Sequence, residues 1–543
     1  MSYSIGVDVG TGSVRAGVVC CSTGTLVASA TQAIRTWSTP SLPDHKEQSS
    51  EDIWTAAAAT IATAVSSSRV PPASICGLSF DATCSLVLLS STHTPISACD
   101  PSLPDAASRN VILWADHRAL PEAASINALS DPAALAALSS VGGCVSPEME
   151  LPKLLWLKRN MPAAFKAVNE GRAMDLADYL LYRATGYSPE APRSLCTALC
   201  KWNFSLSTKW DRSFHALAGF SPGDLPDSCI GAPSSILPPG AAASSPLPSP
   251  SPLPPLLPGT KLGVGIIDAH AGGIGVLGGR CATPLPPLPS RLALIAGTSA
   301  CLMFSSKEAL FVPGVWGPYR GAMIASQTLN EAGQSAAGSL LDHVLRAHSA
   351  SASVADIQAT LNTMAERQGV SAQELTRDLH VTPDNLGNRS PLADPTMRGG
   401  IVGLGMGEGV EELALLYLAT VQALAYQTRH IIDVVEGAGH EKIEAVFVCG
   451  GLTKNPLYLS TVADVLGVPL LLPREDEAVL VGTACLAAVA GGAHSSVEQA
   501  MEAMTAVGGR IEPGVGSRNF HEKKYAVYRK MVEAQQAYRD MMK

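Results

Sequence analysis

One short pattern is written twice in this chain and limits what it can fold into. From Tyr3 to Val9 β-branched and apolar residues alternate, Gly10-Thr11-Gly12 turns, and Val14 to Cys20 returns as a second strand. Far downstream, residues 292–296 lead into Gly297-Thr298-Ser299, and residues 300–304 return. Alternation with period two demands a sheet, and a glycine turn between two such runs demands a hairpin. Two copies predict two similar halves, divided near residues 280–290.

The segments after each copy extend this α/β reading. After the first come a strand at 25–30, a helix capped by Ser49 or Ser50 with Glu51 and Asp52 and running to about residue 65, and a short buried strand at 75–80 ending in Asp81. Helices are expected at 147–160 and 175–184. After the second copy, a long helix at 410–435 precedes a strand at 445–448 that runs into Gly450-Gly451. A helix at 455–466, a strand at 469–472, a helix at 479–490 and a terminal helix at 525–542 follow. Meander, helix and strand in succession make a mixed sheet covered by helices. Residues 221–262 and 281–291 are dense in proline, and are expected to be surface excursions without helix or inner strand.

Composition excludes several function classes. Charged residues make up 16% of the 543 residues and the net charge is −9, so neither a highly charged disordered chain nor a broad basic surface for nucleic acid fits. The longest apolar stretch, 478–493, is short for a membrane span and rich in Gly and Ala. Asp8 interrupts the first apolar run and no basic stretch precedes it, so a secretory signal is not expected. The thirteen cysteines are scattered without CxxC or a His/Cys metal spacing. Small buried thiols in a reducing, cytoplasmic setting fit this usage, and no metal-ligand cluster is expected.

Four motifs carry chemistry. In the first, Asp8 ends a strand and Gly10, Thr11, Gly12 and Ser13 follow without bulk, so backbone N–H groups can approach an anion; Arg15 adds a charged donor, and Asp8 sits where it could hold water on Mg²⁺. A plain hairpin with a glycine turn explains the same residues. The second, Gly297-Thr298-Ser299, would face the first across a cleft, so that two turns clamp one polyphosphate. The third, Gly450-Gly451 with Asn455 as a helix cap, offers a flat floor for a purine ring, although many strand–loop–helix joints look alike. The fourth is Asp268, which follows an apolar strand among Gly and Ala. Such a carboxylate either caps the next helix or takes a proton from a substrate hydroxyl.

Taken in order, Gly6-Val-Asp8-Val-Gly-Thr11-Gly, Asp268-Ala-His-Ala-Gly, Gly297-Thr298-Ser299 and Gly450-Gly451…Asn455-Pro456 resemble the FGGY carbohydrate kinases across nearly the whole chain. The resemblance implies a two-domain fold of the actin/hexokinase/Hsp70-like ATPase (ribonuclease H-like) type with an interdomain cleft. Residues 1–279 would form the N-terminal domain and 290–543 the C-terminal one. It implies ATP and Mg²⁺ as cofactors, Asp268 as catalytic base, and Asp8 as the carboxylate near metal and phosphate. Gly10, Thr11, Gly12, Ser13 and Arg15 would form the first phosphate turn, Gly297 and Thr298 the second, and Gly450, Gly451 and Asn455 the adenine side.

On the sugar side, Asp81-Ala82-Thr83 after the strand is similar to a ribulokinase-type segment, where glycerol kinases carry Arg-Glu and xylulokinases Met-His. Trp114-Ala-Asp116-His117-Arg118 matches the family's Trp-x-Asp-x-Arg segment. Pro147-Glu148-Met149…Pro152-Lys153 and Arg389-Ser390-Pro391 are similar to stretches in ribulose and ribitol kinases. Asp81, Ala82, Thr83, Trp114, Asp116, Glu148, Lys153 and Asp268 are therefore the expected substrate contacts, and a D-ribulokinase-like activity is implied. Blander roles stand beside these: Asp81 as a cap, Trp114 as core, Asp116 with Arg118 as a surface ion pair, Glu148 with Lys153 as a helix-face pair, and His117 and His270 as satisfied polar residues. His270 stands where many relatives carry Asn or Gln. The expected partner is a small sugar, with no nucleic acid and no membrane, and a homodimer is compatible with it. L-Ribulose, xylulose or ribitol kinase activity, or a non-catalytic actin-like ATP- and sugar-binding protein, are the alternatives.

Overall fold

The computed structural model describes residues 1–514 and 516–542. Its first sheet is built from β1 (Tyr3–Val9), β2 (Ser13–Cys20), β3 (Leu26–Ala33), β4 (Ile75–Ala82) and β5 (Lys261–Ile267), in the spatial order β5-β4-β1-β2-β3. The three-strand meander is antiparallel, and β4 and β5 add in parallel. Helix α1 (Ser50–Ser68) starts at Ser49, whose hydroxyl accepts the Asp52 amide, and packs on the meander. Of the two serines offered by the sequence, Ser49 is thus the cap.

Beyond the sheet stand helices α2 (Glu150–Asn160), α3 (Leu176–Ala184) and α4 (Leu195–Lys201). They accompany an accessory antiparallel sheet of Thr36–Thr39, Leu42–Gln48, Leu86–Leu89, Val111–Ile112 and Arg172–Asp175, which the sequence pattern did not reveal. Its strands are short and two of them, Leu42–Gln48 and Arg172–Asp175, carry charges, so no run of alternation marks them.

After β5, helix α5 (Asp268–Leu277) leads toward the second half. There the strands are β6 (Arg291–Ala296), β7 (Ala300–Ser306), β8 (Trp316–Arg320), β9 (Thr328–Gln334), β10 (Ala445–Cys449), β11 (Leu470–Pro473) and β12 (Val507–Ile511). Their order is β8-β9-β7-β6-β10-β11-β12, with β10 and β11 parallel to β6. The five strands β9-β7-β6-β10-β11 therefore repeat the connectivity and order of the whole first sheet. The hairpin recurrence in the sequence was the visible part of this duplication. Helices α6 (Val410–Gly437), α7 (Pro456–Leu466), α8 (Ala478–Ala490) and α9 (Arg518–Met541) belong to this half, together with those at Gly338–Ala347, Val354–Gln368 and Val497–Met504.

The halves interlock. Helix α5 leaves the first sheet and packs against β6 and β10 of the second, while α8 packs against β1, β4 and β5 of the first. The two helices lie directly on each other, with glycines where they touch: a Cβ on Gly275 would lie 1.9 Å from the Ala478 carbonyl oxygen, and one on Gly482 1.9 Å from that of Ala271.

The proline-rich segment 221–262 differs from its expectation. It holds a helical turn, Asp227–Ile230, and a short strand, Ile236–Leu237. Leu247, Leu253 and Leu256 are buried in the core of the first half. The amides of Ala243 and Leu247 donate to the carbonyls of Leu262 and Thr260 at 2.8 and 3.0 Å. Prolines bar regular secondary structure, but they leave the leucines between them free to pack and the intervening N–H groups free to pair. In the second proline-rich piece, Leu288–Ser290 forms a short helical turn that leads directly into β6.

Candidate active site

A cavity of about 830 Å³ lies between the halves, and its wall includes Asp8, Gly10, Thr11, Arg15, Asp268, Gly297, Thr298, Gly450 and Gly451. These residues come from four separate strand ends. β1 ends at Asp8-Val9 and turns where the Gly10 amide donates to the Ser13 carbonyl at 3.0 Å; β6 ends in the equivalent turn, where the Gly297 amide donates to the Ser299 carbonyl at 2.9 Å. After β10, Gly450 adopts φ 97°, and a Cβ there would sit 2.6 Å from the Ala296 oxygen. Only glycine fits this position, and it brings the third loop against the second turn.

Asp268 is the first residue of α5 and is half-buried. Its Oδ1 accepts the Ala269 amide at 2.7 Å, so it does not cap the helix in the usual way. Burial and the nearby charge of Asp8 push its carboxyl up to about 6. Asp8 is itself raised by burial, against the opposing pull of Arg15, whose guanidinium it accepts. Arg15 also donates to Glu477 at 2.6 Å, so it is shared between two carboxylates at the cleft wall. Asp81 is raised well above its usual range by burial and by Asp8; Thr483 donates to one of its oxygens while the other has no hydrogen-bond partner. Asp8 and Asp268, both on the cavity wall, thus offer hard oxygen donors whose charges oppose one another, with Asp81 fully buried beside Asp8. A divalent cation of the Mg²⁺ type suits such a set.

The same cavity is also lined by Thr83, Trp114, Glu148, Lys201, Trp316, Glu331 and Arg389. The Trp114 indole N–H donates to the Thr11 hydroxyl at 3.0 Å, so Trp114 faces the cleft and is not simply core. Glu148 accepts from Arg389 of the second half at 2.9 Å. Burial would raise Glu148, but Arg389, His117 and Lys201 together outweigh it and hold the carboxyl down at about 2. The Lys201 ammonium lies 4.8 Å over the Trp316 ring. Burial alone would lower Lys201, yet Cys84, Glu331 and Glu148 facing it hold it well above its usual range. Lys201, Trp316 and Glu331 escaped the sequence reading because no motif marks them; α4, β8 and β9 bring them in from distant positions.

Several expected site residues lie elsewhere. Asp81 and Ala82 are fully buried in β4 and do not line the cavity. Asp116 is fully buried, accepting from Arg118 at 2.8 Å and from the Lys46 amide at 2.6 Å. This is a buried network with Glu47, not a surface pair. Lys153 is fully buried beside Glu150 at 3.5 Å, not paired with Glu148. Gly12 and Ser13 complete the first hairpin without reaching the cavity wall. Asn455 caps α7 by accepting the Tyr458 amide at 3.2 Å and donates to Tyr417 at 2.9 Å, so its side chain is spent on structure. Gly508 and Gly509 of β12 join Gly450 and Gly451 along that wall instead. His270 and Glu331 contact each other at 3.2 Å. Against the expectation of no metal-ligand cluster, His270, Cys196 and Cys200 converge, because two short helices meet there. All thirteen cysteines are free, and no helix among the described residues is long and apolar enough to cross a membrane.

Comparison with known proteins shows the family of the chain. Models of the N-terminal and C-terminal domains of the FGGY family of carbohydrate kinases match residues 3–229 and 292–491. An FGGY carbohydrate kinase domain-containing protein of Homo sapiens is 43% identical, over 99% of this chain and 98% of its own. A D-ribulokinase of Saccharomyces cerevisiae is 36% identical, over 90% of this chain and 72% of its own. Among solved structures, a xylulose kinase from Rhodospirillum rubrum superposes with a TM-score of 0.78 at 22% identity, covering 99% of each chain. Plasmodium falciparum glycerol kinase with ADP gives 0.76 at 15% identity, covering 98% of each. These neighbours share the actin/hexokinase-like ATPase fold. A duplicated sheet with interlocked helices, and a cavity lined by two glycine turns and a half-buried carboxylate, therefore belong to a phosphotransferase with an alcohol acceptor: the chain is a member of the FGGY family of carbohydrate kinases.

Proposed function

We propose that the chain transfers the γ-phosphoryl group of ATP to the terminal hydroxyl of a pentulose, converting D-ribulose to D-ribulose 5-phosphate. The observation that carries this is that Asp268, half-buried, lines the same cavity as the glycine turns and the charged group of Glu148, Lys201, Glu331 and Arg389. Asp268 takes the proton as the sugar oxygen attacks phosphorus; the new O–P bond forms, the bond to the β-phosphate oxygen breaks, and ADP leaves. A carboxyl near 6 is ionised at neutral pH yet basic enough for this task. The turns at Gly10–Thr11 and Gly297–Thr298 hold the phosphates, and Gly450, Gly451, Gly508 and Gly509 make the floor for the base. Mg²⁺, when bound, neutralises phosphate charge, and Asp8 and Asp268 would hold it directly or through water. Trp114, Thr83, Glu148, Lys201, Glu331 and Arg389 supply the donors and acceptors that read sugar hydroxyls. A pocket of this polarity rejects an analogue lacking a hydroxyl, because buried groups are left unpaired.

The D-ribulose assignment is supported by the D-ribulokinase relative and by the Asp81-Ala82-Thr83 segment. ADP release measured across D-ribulose, L-ribulose, D-xylulose and ribitol tests it: kcat/KM is expected to be highest for D-ribulose, and a higher value for any of the others overturns the assignment. Asp268→Asn is expected to lose turnover by ~10²–10⁴-fold at saturating sugar and ATP. Near-normal turnover in that variant rejects the base.

A further inference from the structure

Beneath the sugar end of the cavity, three soft ligand atoms converge outside the phosphoryl-transfer groups. Cys196 and Cys200 stand one turn apart on α4, and His270 stands on α5. All three are buried, and their sulfurs and one imidazole nitrogen lie within 4.8 Å of one another. Cys196 Sγ is 3.1 Å from His270 Nδ1. Around a tetrahedral zinc ion such donors stand ~3.6–3.8 Å apart, so the present spacing needs only small side-chain movements.

The surroundings are those of a ligand set. Glu331 Oε2 lies 3.2 Å from His270 Nε2, on the far side of the ring from the sulfurs. A carboxylate in that place fixes the ring and turns the Nδ1 lone pair toward the cluster, as partners of metal-bound histidines do. Charge balances as well. Two thiolates offset a divalent cation, and the Lys201 ammonium, which faces both Cys200 and Glu331, offsets the remaining carboxylate. The oxygen donors Asp8 and Asp268 suit a hard cation, whereas two sulfurs and an imidazole suit a thiophilic one.

We propose that Cys196, Cys200 and His270 form a binding site for one thiophilic divalent cation of the zinc class, with Glu331 as the carboxylate behind His270. Three protein ligands leave a fourth position for water or a small exogenous ligand. The site joins α4 to the start of α5, two residues from Asp268, and reaches the second half through Glu331. Its cation is distinct from the nucleotide's, and the site does not depend on which sugar the enzyme takes.

Full-length protein, reduced and stripped with a chelator, is titrated with zinc ion alone against a chromophoric chelator. One equivalent is expected to bind, unaffected by millimolar Mg²⁺, and to raise the thermal midpoint because only the folded chain assembles the ligands. Cobalt ion on the wild-type protein is expected to give sulfur-to-metal charge-transfer absorption and tetrahedral d–d bands. Cys196→Ser and Cys200→Ser should each weaken zinc by on the order of 100-fold or more, with basal kinase activity retained without added zinc. A cobalt spectrum without sulfur charge transfer, or zinc affinity unchanged in both variants, overturns the proposal. The cobalt spectrum needs no substitution, so it decides the matter even if a variant folds poorly.

Discussion

Asp268 owes its expected basicity to position more than to any partner. It receives one amide hydrogen bond, from Ala269, while burial and Asp8 both disfavour its charged form. A base must be ionised to accept the sugar proton. With the carboxyl at about 6, kcat/KM should be flat above neutrality and fall about tenfold per pH unit below 6. Asp8→Asn removes a neighbouring negative charge, so the acid limb should move to lower pH even as phosphate handling suffers. A pH–rate profile whose acid limb stays fixed in that variant would show that Asp8 does not set the Asp268 carboxyl. At this scale the sequence exposed what local pattern can carry. Glycine turns and a carboxylate at a strand end leave signatures within a few residues. Lys201 and Glu331 leave none, because each sits on a short element with no distinctive neighbour. Asp116 and Lys153 misled for the opposite reason: charged residues inside a motif look available for ligand until the fold shows them paired and fully buried.

Among elements, the crossing of α5 and α8 carries the most structural consequence. Each helix buries a face on the sheet of the other half, and their backbones approach at Gly275 and Gly482. Gly482→Ala forces a Cβ to 1.9 Å from the Ala271 oxygen, so the helices must separate. Overpacking of this kind costs about 1–3 kcal/mol. Displacement of α5 also moves Asp268, so turnover should fall with stability. Gly405→Ala, where nothing lies within 4 Å of the new Cβ, is the matched control and should change stability by less than about 0.5 kcal/mol. Equal denaturation midpoints for both variants would mean the crossing tolerates expansion. The helix at 479–490 was legible as an apolar stretch rich in Ala, but its partner sheet was not. Periodicity shows that a face is buried without showing which surface buries it. The proline-rich stretch failed similarly, since composition excludes helix yet is silent about leucines packing one at a time.

For the whole molecule, the contacts that cross the cleft determine how firmly the halves stay together. Beyond the helix crossing, Glu148 pairs with Arg389 at 2.9 Å and His270 with Glu331 at 3.2 Å. The first pair is nearly buried, with side chains 10% and 12% exposed, so solvent screens it little. Removing one member leaves a desolvated charge, and this costs about 3–5 kcal/mol, whereas removing both costs less than the sum. Arg389→Met, Glu148→Gln and the double variant therefore form a cycle whose coupling, read from denaturant unfolding, should exceed about 1 kcal/mol. The pair also has a pH signature. Glu148 titrates at about 2 in the folded chain, below its ordinary 4.5, so its contribution is present above 4.5 and lost as pH falls from 4.5 toward 2. In Arg389→Met the strongest influence holding the carboxyl down is gone, and the acid loss of stability should begin at higher pH. Additive losses in the cycle, with an unshifted acid limb, would show that the Glu148–Arg389 pair does not help hold the cleft. Glu148 and Arg389 would then be free to turn wholly toward the sugar.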